Sequence, residues 1–455
     1  MASSIATRTG RNWAVAAAAA VSILAGGCER DLGGLGPAPV NVDPTVFLDD
    51  FSRGAFFQPF LDTKIDALSL DREQRYLGTS SLKITVPGPG DDTGTYAGGA
   101  FTATYARDFS SFNALTFWIK ASHDATLNVA GLGNDNTGTS RFEASRPDIP
   151  VTTSWSKVVI PMPLPSKLDA ERGLLFFAEG YEGTEGYSLW IDEIQYENLA
   201  TVTNPRPTLL PATRSVFVGQ TIAMENTRTT FDVDGTDITV FHQPDYFTYS
   251  SSDETVARVE NGEVQIIGGG TATITAQLGD VAAGGVVTLN SSTPPPSPAP
   301  DPTLAASDVI SLFSDSYPSR TVDLWSTSWD TANVTDLEVD GNALKAYTGL
   351  GFAGIEFATS TIDASSMETF HLDVWIPDGF FIKVKLVDFG ADGAFGGGDD
   401  SESVEVGILV DPGSWNGLDV PMTSFTGLAA TGHLAQLILL GNPSVLYVDN
   451  LYFAR

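Results

Sequence analysis

The sequence predicts an all-β protein built as a string of antiparallel sandwiches. Runs rich in Val, Ile, Thr, Phe and Tyr recur between clusters of Gly, Asp, Asn and Pro, which is the pattern of short strands joined by turns. In one run, Ile382, Val384 and Leu386 share one side, while Lys383 and Lys385 share the other. The helical period is not sustained after the first 27 residues. A length of 455 residues gives room for about three such domains.

Composition excludes several classes of protein. The 56 acidic residues against 24 basic ones give a net charge of −32, which repels nucleic acid backbones. Hydrophobic residues make up 42% of the chain, enough to bury cores. The four histidines lie far apart in the sequence and predict no His-rich metal centre.

The N-terminus has the layout of a secretory signal. Arg8 and Arg11 precede an apolar run from Trp13 to about Ala25, and a bilayer span needs about 20 apolar residues. The run ends at Cys28, the only cysteine of the chain, so no intrachain disulfide can form. We therefore expect residues 1–27 to be removed and residues 28–45, rich in Gly and Pro, to form a tether.

The segment Leu24–Cys28 resembles a bacterial lipobox, with Ala25 where Leu is usual. The resemblance implies that Cys28 is lipidated and holds the protein at the outer membrane, facing the cell exterior. Several acyl chains make a stable anchor. The alternative is an ordinary signal followed by a chance cysteine.

Two Pro-rich segments divide the rest of the chain. Six of the nine residues from Pro294 to Pro302 are proline, so residues 291–303 form an extended linker, with about 28 Å for these nine. A weaker boundary lies at Asn204–Pro207. We predict three folded blocks at residues 46–199, 205–290 and 304–455.

The two outer blocks repeat one plan. Leu115–Lys120 matches Leu372–Ile376, Ser154–Met162 matches Ser414–Met422, and Trp190–Ile194 matches Tyr447–Leu451, in the same order and at near-equal spacing. These matches pair Trp118 with Trp375 and Asp192 with Asp449. Three ordered matches favour a duplicated fold.

This plan resembles the jelly-roll carbohydrate-binding modules of the galactose-binding-like superfamily. The C-terminal block, through Leu312–Tyr317, Asp388–Asp400 and Tyr447–Asn450, is similar to modules of marine laminarinases. The middle block, through Ser251–Val259 and Gly268–Ala276, resembles a bacterial Ig-like domain of group 2. The resemblance implies two jelly-roll β-sandwiches flanking an Ig-like β-sandwich, the middle one a spacer.

Catalysis is not favoured by the motifs. Laminarinases carry two glutamates around an aspartate on one strand, and in Trp190–Glu197 a tryptophan stands where the nucleophile belongs. The segment also recurs as Tyr447–Leu451, which favours a structural role. Neither a GxSxG elbow nor a phosphate-binding GxxxxGK loop occurs. A glycoside hydrolase remains a less favoured alternative.

Calcium is the one cofactor that the resemblance implies. In such modules a structural calcium ties the first strand to the last, which implies Asp50 with Asp192 in one copy and Asp315 with Asp449 in the other. Solvated strand-end carboxylates are the alternative. A second candidate is the loop Asp388–Asp400, in which Asp388, Asp392 and Asp399 hold calcium-loop positions, although a plain Gly-rich hairpin explains it equally well.

Sugar binding needs aromatic faces beside polar groups. Alternation sets Trp375 opposite the core side of its strand, together with His371 and Asp373, and Lys383 and Lys385 could share that surface. The alternative is a tryptophan covered by a loop.

Other tryptophans divide into candidates and framework. Trp118 is likewise opposite the core side of its strand, while Trp325 and Trp329 lie four apart in a polar loop that they could equally anchor. We assign Trp155, Trp190 and Trp415 to the framework.

Together these features predict a lipid-anchored, non-catalytic surface protein that binds polysaccharide. The laminarinase resemblance implies a β-1,3-glucan such as laminarin, captured near an outer-membrane glycan importer or a secreted hydrolase. The main alternative is an adhesin or structural surface protein without glycan specificity.

Overall fold

The computed structural model describes residues 40–260, 262–396 and 398–455, and these residues form β-sandwiches whose strands pair mostly antiparallel. The predicted all-β class is confirmed. The signal segment, Cys28 and most of the tether lie outside the described residues. Within the described part of the chain, we find no helix with the length and apolar character needed to cross a membrane.

The strands follow one another with short turns between them. The first block contains β1 (Thr45–Phe47), β2 (Ala55–Pro59), β3 (Leu68–Asp71), β4 (Ser81–Val86), β5 (Ala97–Arg107), β6 (Ala114–Ala121), β7 (Ala125–Leu132), β8 (Ala144–Val151), β9 (Ser156–Pro161), β10 (Glu171–Glu179) and β11 (Tyr187–Glu197), and β12 (Val202–Leu209) leads into the middle block. The middle block contains β13 (Ala212–Phe217), β14 (Thr221–Ile222), β15 (Thr227–Val233), β16 (Thr236–His242), β17 (Thr248–Ser251), β18 (Ala257–Glu260), β19 (Glu263–Ile266), β20 (Gly270–Leu278), β21 (Val281–Ala282) and β22 (Val287–Ser292).

The C-terminal block completes the chain. It contains β23 (Val309–Phe313), β24 (Asn333–Val339), β25 (Asn342–Thr348), β26 (Ala353–Glu356), β27 (Thr369–Trp375), β28 (Phe381–Asp388), β29 (Ser401–Glu402), β30 (Val406–Leu409), β31 (Trp415–Pro421), β32 (Leu434–Gly441) and β33 (Val445–Ala454). Single 3₁₀ turns occur at Pro165–Lys167, Pro244–Tyr246, Ala306–Asp308, Ala358–Ser360 and Met422–Ser424.

Each outer block has a front sheet and a back sheet. The N-terminal front sheet runs β3-β4-β11-β6-β9 with β1 beside β11, and the C-terminal front sheet runs β24-β25-β33-β27-β31 with β23 beside β33. The two orders are equivalent, strand for strand. The C-terminal back sheet runs β26-β32-β28-β29, with β30 beside β28.

The N-terminal back sheet continues into the middle block. Its strands run β2-β5-β10-β7-β8 and then β16-β15-β12, because β8 pairs with β16 at Ala144 and Ser145. The rest of the middle block forms two smaller sheets, β13-β22-β20-β17 and β14-β19-β18. One apolar core therefore extends from the first sandwich, through Phe101 and Phe177, into the middle block at Ile274.

Strand alternation places the cores as the sequence predicts. On β6, Leu115, Phe117 and Ile119 are fully buried, while Trp118 on the other side is half-buried. On β28, Ile382 and its alternate neighbours are fully buried, and the lysines point away from the core. Burial of one face of each strand drives the two sheets of a sandwich together.

The repeat is visible in the closing strands, but its register differs from the sequence match. Glu193 and Asn450 both take a left-handed backbone conformation, with φ of 51° and 45°, directly after a buried aspartate. Asp192 pairs with Trp118, whereas Asp449 pairs with Asp373. The match of Trp118 with Trp375 is therefore wrong by two residues, and Trp118 corresponds to Asp373.

The middle block covers the outer surface of the C-terminal front sheet. Phe217, at the end of β13, is buried in a cluster with Trp375 and Tyr447, and its ring meets that of Tyr447 edge-on at 6.0 Å. Trp415 donates its indole N–H to the carbonyl of Ser297 in the Pro-rich linker at 2.8 Å. The linker and β13 thus lie against the sandwich.

We predict that Phe217→Ala weakens this docking, because it removes a buried aromatic ring whose loss costs on the order of 3–5 kcal/mol. The expected result is faster protease cleavage in residues 291–303 and a lower melting temperature of the C-terminal sandwich. Phe56→Ala is the control, since Phe56 is 42% exposed. Equal cleavage rates in the two variants would contradict the docking.

Candidate functional site

Trp375 is not available to a ligand. Alternation sets its side chain away from the sandwich core, as predicted, but it is only 7% exposed. Phe217, Leu344 and Tyr447 pack around it. The prediction that Trp375 forms part of a sugar-binding surface is therefore wrong. Trp375 lies on the expected face of its strand, but the middle block covers that face.

His371 and Asp373 form a polar network at the edge of this covered surface. The His371 ring stacks on Tyr452 and shares a 2.7 Å hydrogen bond with Asp419. Burial lowers the pKa of His371, but its hydrogen bonds to Asp373 and Asp419 outweigh burial and raise it. Asp373 also accepts from the side-chain amide of Asn450 at 2.9 Å. The polar groups of His371 and Asp373 therefore form hydrogen bonds with neighbouring polar side chains, and not with a ligand at Trp375.

Lys383 and Lys385 lie on a different sheet from Trp375. They belong to β28 of the C-terminal back sheet, whereas Trp375 ends β27 of the front sheet. Their ammonium groups pair with Glu405 at 2.7 Å and Glu402 at 2.6 Å. The prediction that they share one surface with Trp375 is wrong, because alternation identifies the face of a strand but not its sheet.

The two loop tryptophans have different environments. Trp325 packs edge-on against Phe313 with the ammonium of Lys345 4.7 Å from its ring centre, so it anchors the loop. Trp329 is 46% exposed and stacks on Phe352 at 6.0 Å. A Cβ atom at Gly354 would lie 2.4 Å from the Trp329 ring, so a glycine is needed beneath the indole.

Asp330 holds the Trp329 loop in place. Its carboxylate accepts hydrogen bonds from the N–H groups of Thr327, Ala332 and Gly354, at 2.9, 3.1 and 2.9 Å. The Ser326 hydroxyl adds a fourth at 3.0 Å. Because one carboxylate joins the loop to β26, the indole is positioned before any ligand arrives.

Trp329 lines one wall of a cleft of about 720 Å³ over the C-terminal back sheet. Phe395, in the loop after β28, also lines the cleft and is 77% exposed. Its ring contacts that of Phe389 at 5.5 Å. The volume lies within the range of small-molecule sites, roughly 300–1,000 Å³.

The cleft also contains a polar pair. Glu356 and Gln436 line it from β26 and β32, and the amide of Gln436 donates to one Glu356 oxygen at 2.9 Å. Within the described residues, the other Glu356 oxygen and the Gln436 carbonyl oxygen accept no hydrogen bond. Two exposed rings with free acceptors between them can stack on a sugar ring and bind its hydroxyls.

The predicted calcium-loop aspartates shape the wall that carries Phe395. Asp388 accepts from the N–H groups of Gly390 and His433, Asp392 from Ala394, and Asp399 from Ala391. Among the described residues, no group of three or more acidic, His or Cys side chains is arranged to share a metal ion. These hydrogen bonds are those of turn-stabilising aspartates.

The two aspartates of the predicted N-terminal calcium pair lie in different environments. Asp50 is exposed, and the carboxylate that acts electrostatically on Asp192 is that of Asp49. Asp192 is fully buried, and its oxygens accept from the N–H groups of Tyr76, Leu77 and Glu193 at 2.7–3.2 Å. Backbone amides therefore stabilise this carboxylate where a metal was expected.

The predicted C-terminal calcium pair, Asp315 and Asp449, differs from the N-terminal pair in the hydrogen bonding of one carboxylate oxygen. Asp449 is fully buried, its Oδ1 accepts from the N–H of Asn450 at 2.7 Å, and its Oδ2 has no hydrogen-bond partner. Burial raises the pKa of Asp449 to about 7, and the carboxylates of Asp373, Asp315 and Asp301 act in the same direction. Asp315 is exposed and accepts from the N–H of Ala343 at 2.7 Å. The orphaned oxygen distinguishes Asp449 from Asp192, although within the described residues the carboxylates around it do not form a group of three metal ligands.

Trp118 supports a second group of aromatic rings, on the N-terminal front sheet. Its indole stacks on Tyr76 with ring centres 3.8 Å apart, and Tyr76 meets Trp155 edge-on at 6.1 Å. Trp118 and Trp155 are half-buried and Tyr76 is 36% exposed. Tyr76 thus covers the indole ring of Trp118, and Tyr76 is the most exposed of these three aromatic residues.

Two carboxyls with a strongly raised pKa are inaccessible to a polysaccharide. Burial raises the pKa of Glu179 and of Asp449 to about 7, and both side chains are fully buried. The Glu179 carboxylate accepts from the Tyr187 hydroxyl and, at 2.5 Å, from the N–H of Asn128. A glycosidic bond cannot reach either group.

Sequence reasoning missed Phe395, Glu356 and Gln436. An exposed phenylalanine in a Gly-rich loop was a detectable signal, since such a side chain has no core to join. Glu356 and Gln436 come together only through the pairing of β26 with β32, where they are directly opposite.

Residues 43–198 match the family model of carbohydrate binding domain 30. No curated protein matches the chain. The match indicates a polysaccharide-binding protein with a carbohydrate-binding module in its first block. The matched family is one of binding domains, and the comparisons bring out no catalytic domain.

Solved structures similar to the chain include two single carbohydrate-binding modules and one tandem of such modules. The family 30 module of a Clostridium thermocellum cellulosomal cellulase is 18% identical and covers 35% of this chain and 99% of its own, with a TM-score of 0.25. A family 11 module from the same organism, in complex with a β-1,3-1,4-mixed-linked tetrasaccharide, is 17% identical over 32% and 94%, with a TM-score of 0.25. The CBM22 tandem of Paenibacillus barcinonensis Xyn10C is 10% identical over 92% and 100%, with a TM-score of 0.25.

Asp449 predicts a pH-dependent stability. Its folded-state pKa of about 7 lies above the ordinary value of 3.8, so the folded state holds the proton more tightly than the unfolded state. Stability should therefore fall as pH rises from about 4 to 7. In chelator, Asp449→Asn should flatten this fall and stabilise the protein at pH 8 by about 1–3 kcal/mol.

The measurement is the melting temperature of each variant between pH 4 and 8. Asp340→Asn, at an exposed turn, is the control and should leave the slope unchanged. Parallel curves for the wild type and Asp449→Asn would show that Asp449 carries no such penalty.

Proposed function

We propose that the chain is a non-catalytic glucan-binding protein whose C-terminal sandwich holds the polysaccharide in the Trp329–Phe395 cleft. The observation that carries the proposal is the cleft itself, with two exposed aromatic walls and a polar pair between them. The carbohydrate-binding module matched in residues 43–198 supports the same class of ligand from a separate part of the chain.

The residues of the cleft divide the work of binding. The Trp329 indole and the Phe395 ring remove the C–H faces of sugar units from water, which is worth roughly 25 cal/mol per Å² of apolar surface. The free Glu356 oxygen accepts from sugar hydroxyls, and Gln436 holds the carboxylate in orientation. Asp330 and Gly354 keep the indole in place, so little conformational entropy is lost on binding.

We further propose a β-1,3-glucan such as laminarin as the ligand. The support is the resemblance of Asp388–Asp400 and of the C-terminal strands to modules of marine laminarinases. A chain of neutral sugars suits this cleft, because the cleft would bind by ring stacking and through the free acceptor oxygens of Glu356 and Gln436. Asp388–Asp400 is also the segment that presents Phe395.

We propose that lipidation of Cys28 holds the protein on the outer membrane, facing the cell exterior, where it would pass captured glucan to an importer. The support is the lipobox-like Leu24–Cys28 and the single cysteine of the chain. A polysaccharide ligand is consistent with a position on the outer surface of the membrane, since a polymer too large to cross the membrane must be held outside it.

Calcium is proposed only for the C-terminal sandwich. Asp449 would hold it through its orphaned Oδ2, with Asp315 and Asp373 close enough to act on its charge. A bound cation would neutralise this group and fasten β23 to β33. Repeating the melts of Asp449→Asn and wild type with calcium in place of chelator tests this: calcium should raise the melting temperature of the wild type alone.

We predict that Trp329→Ala and Phe395→Ala each weaken binding of laminarin about tenfold or more, as for an aromatic anchor at the centre of a site. Phe395 is largely exposed and Trp329 is about half exposed, so the melting temperature should change little. Titration calorimetry with laminarin and with a mixed-linkage β-glucan measures the affinities. Phe380→Ala removes another exposed phenylalanine, 59% exposed, and is the control.

Unchanged affinity in both cleft variants, with the wild type binding glucan, would move the site to the N-terminal module. Release of reducing sugar by the wild type would contradict a non-catalytic role. Failure of the wild type to bind any polysaccharide, with adhesion to cells retained, would support a structural surface protein instead.

We predict that Cys28→Ser releases the protein from the membrane fraction, because the variant has no thiol to acylate. Fractionation of cells followed by immunoblotting measures the distribution. Retention of the variant in the membrane fraction at the wild-type level would contradict the lipid anchor.

A further inference from the structure

Trp190 gathers two lysines on the outer surface of the N-terminal front sheet. The ammonium groups of Lys120 and Lys83 lie 5.4 and 5.9 Å from the centre of its ring. The indole N–H donates to Asp71 at 2.8 Å, which sets the orientation of the ring. A cation over an indole is attracted by the negative face of the ring. The sequence assigns Trp190 to the framework, and in the structure its ring also positions the ammonium groups of Lys83 and Lys120.

These two lysines differ from most others in the chain. Of the eight lysines in the sequence, Lys64, Lys157, Lys345, Lys383 and Lys385 lie within 4 Å of a carboxylate. Within the described residues Lys83 and Lys120 make no such ion pair, although acidic side chains outnumber basic ones by more than two to one.

The nearby polar groups do not neutralise both charges. Lys120 donates to the neutral side-chain amide of Gln74 at 3.0 Å. Asp71 acts on Lys83, but its oxygens already accept the Trp190 indole N–H and the N–H groups of Glu73 and Gln74. Within the described residues neither ammonium group lies within 4 Å of a carboxylate, so both can pair with an anionic ligand.

Exposed aromatic rings lie on the same face of this sheet. Tyr76 stacks on Trp118 and meets Trp155 edge-on, and Trp118 and Lys120 alternate on β6 with the same side outward. The corresponding surface of the C-terminal front sheet is covered by Phe217 and the Pro-rich linker. In the first sandwich the aromatic residues of this surface are partly exposed.

We propose that this surface binds an acidic saccharide unit, with its anionic group between Lys83 and Lys120 and a sugar ring against Tyr76 and Trp155. The anionic group is a carboxylate or a sulfate ester, since both offer oxygen acceptors to two ammonium groups. The surface uses none of the residues of the Trp329–Phe395 cleft, so the chain binds neutral and acidic polysaccharide at separate places.

Affinity electrophoresis of the full chain tests this at 0.15 M salt, where charges act over about 8 Å. The probes are polygalacturonate, dextran sulfate and uncharged dextran. We expect the wild type to be retarded by at least one of the anionic polymers more than by dextran. Lys83→Gln and Lys120→Gln should each weaken that binding about tenfold, as for loss of one charge-assisted hydrogen bond.

Lys383→Gln and Lys385→Gln are the matched controls, because they remove the same charge from paired lysines on another surface. Lys120→Arg should retain binding. Retardation by dextran sulfate alone identifies a sulfate ester, and retardation by polygalacturonate alone identifies a carboxylate. The proposal is overturned if neither anionic polymer binds, or if the control variants lose as much affinity as Lys83→Gln and Lys120→Gln. Laminarin titration of the same variants should be unchanged, which separates this site from the glucan cleft.

Discussion

Every sheet in this protein has two faces, and only one of them can join the core of its own sandwich. Alternation along β6 and β27 buries one set of side chains and turns the next set outward. An outward aromatic residue must then be covered by another part of the chain or remain exposed to solvent. The two front sheets differ in this respect. On the C-terminal front sheet Trp375 is buried in a cluster with Phe217, whereas on the N-terminal front sheet Trp155 and Tyr76 remain partly exposed. This difference decides which surfaces can bind a ligand.

The faces of the strands were predictable from the sequence, and so was the all-β class. What covers a face was not, because Phe217 is far from Trp375 along the chain and meets it only through the docking of β13. The same reason explains Lys383 and Lys385, which alternate correctly on β28 but belong to the back sheet. Periodicity is a property of one strand, whereas a binding surface is a property of several strands and their neighbours.

The repeat shows the same limit at the level of single residues. Equivalent bulges follow Asp192 and Asp449, and yet backbone amides satisfy the first carboxylate while the second retains an orphaned oxygen. A sequence match aligns both residues equally well. The difference arises from the loop before β4, whose N–H groups at Tyr76 and Leu77 reach Asp192. A duplicated fold therefore need not carry duplicated sites, and the cleft over the C-terminal back sheet depends on two loops of its own.

The central claim is that glucan lies against the C-terminal back sheet between Trp329 and Phe395. Hydrogen–deuterium exchange of the full chain, with and without laminarin oligosaccharides, tests it most directly, because it reports the bound surface without any substitution. We expect added protection at residues 326–332, 352–359 and 389–396, and none at residues 371–375. Protection confined to residues 371–375 and 415–419, or to residues 43–198, would contradict the claim.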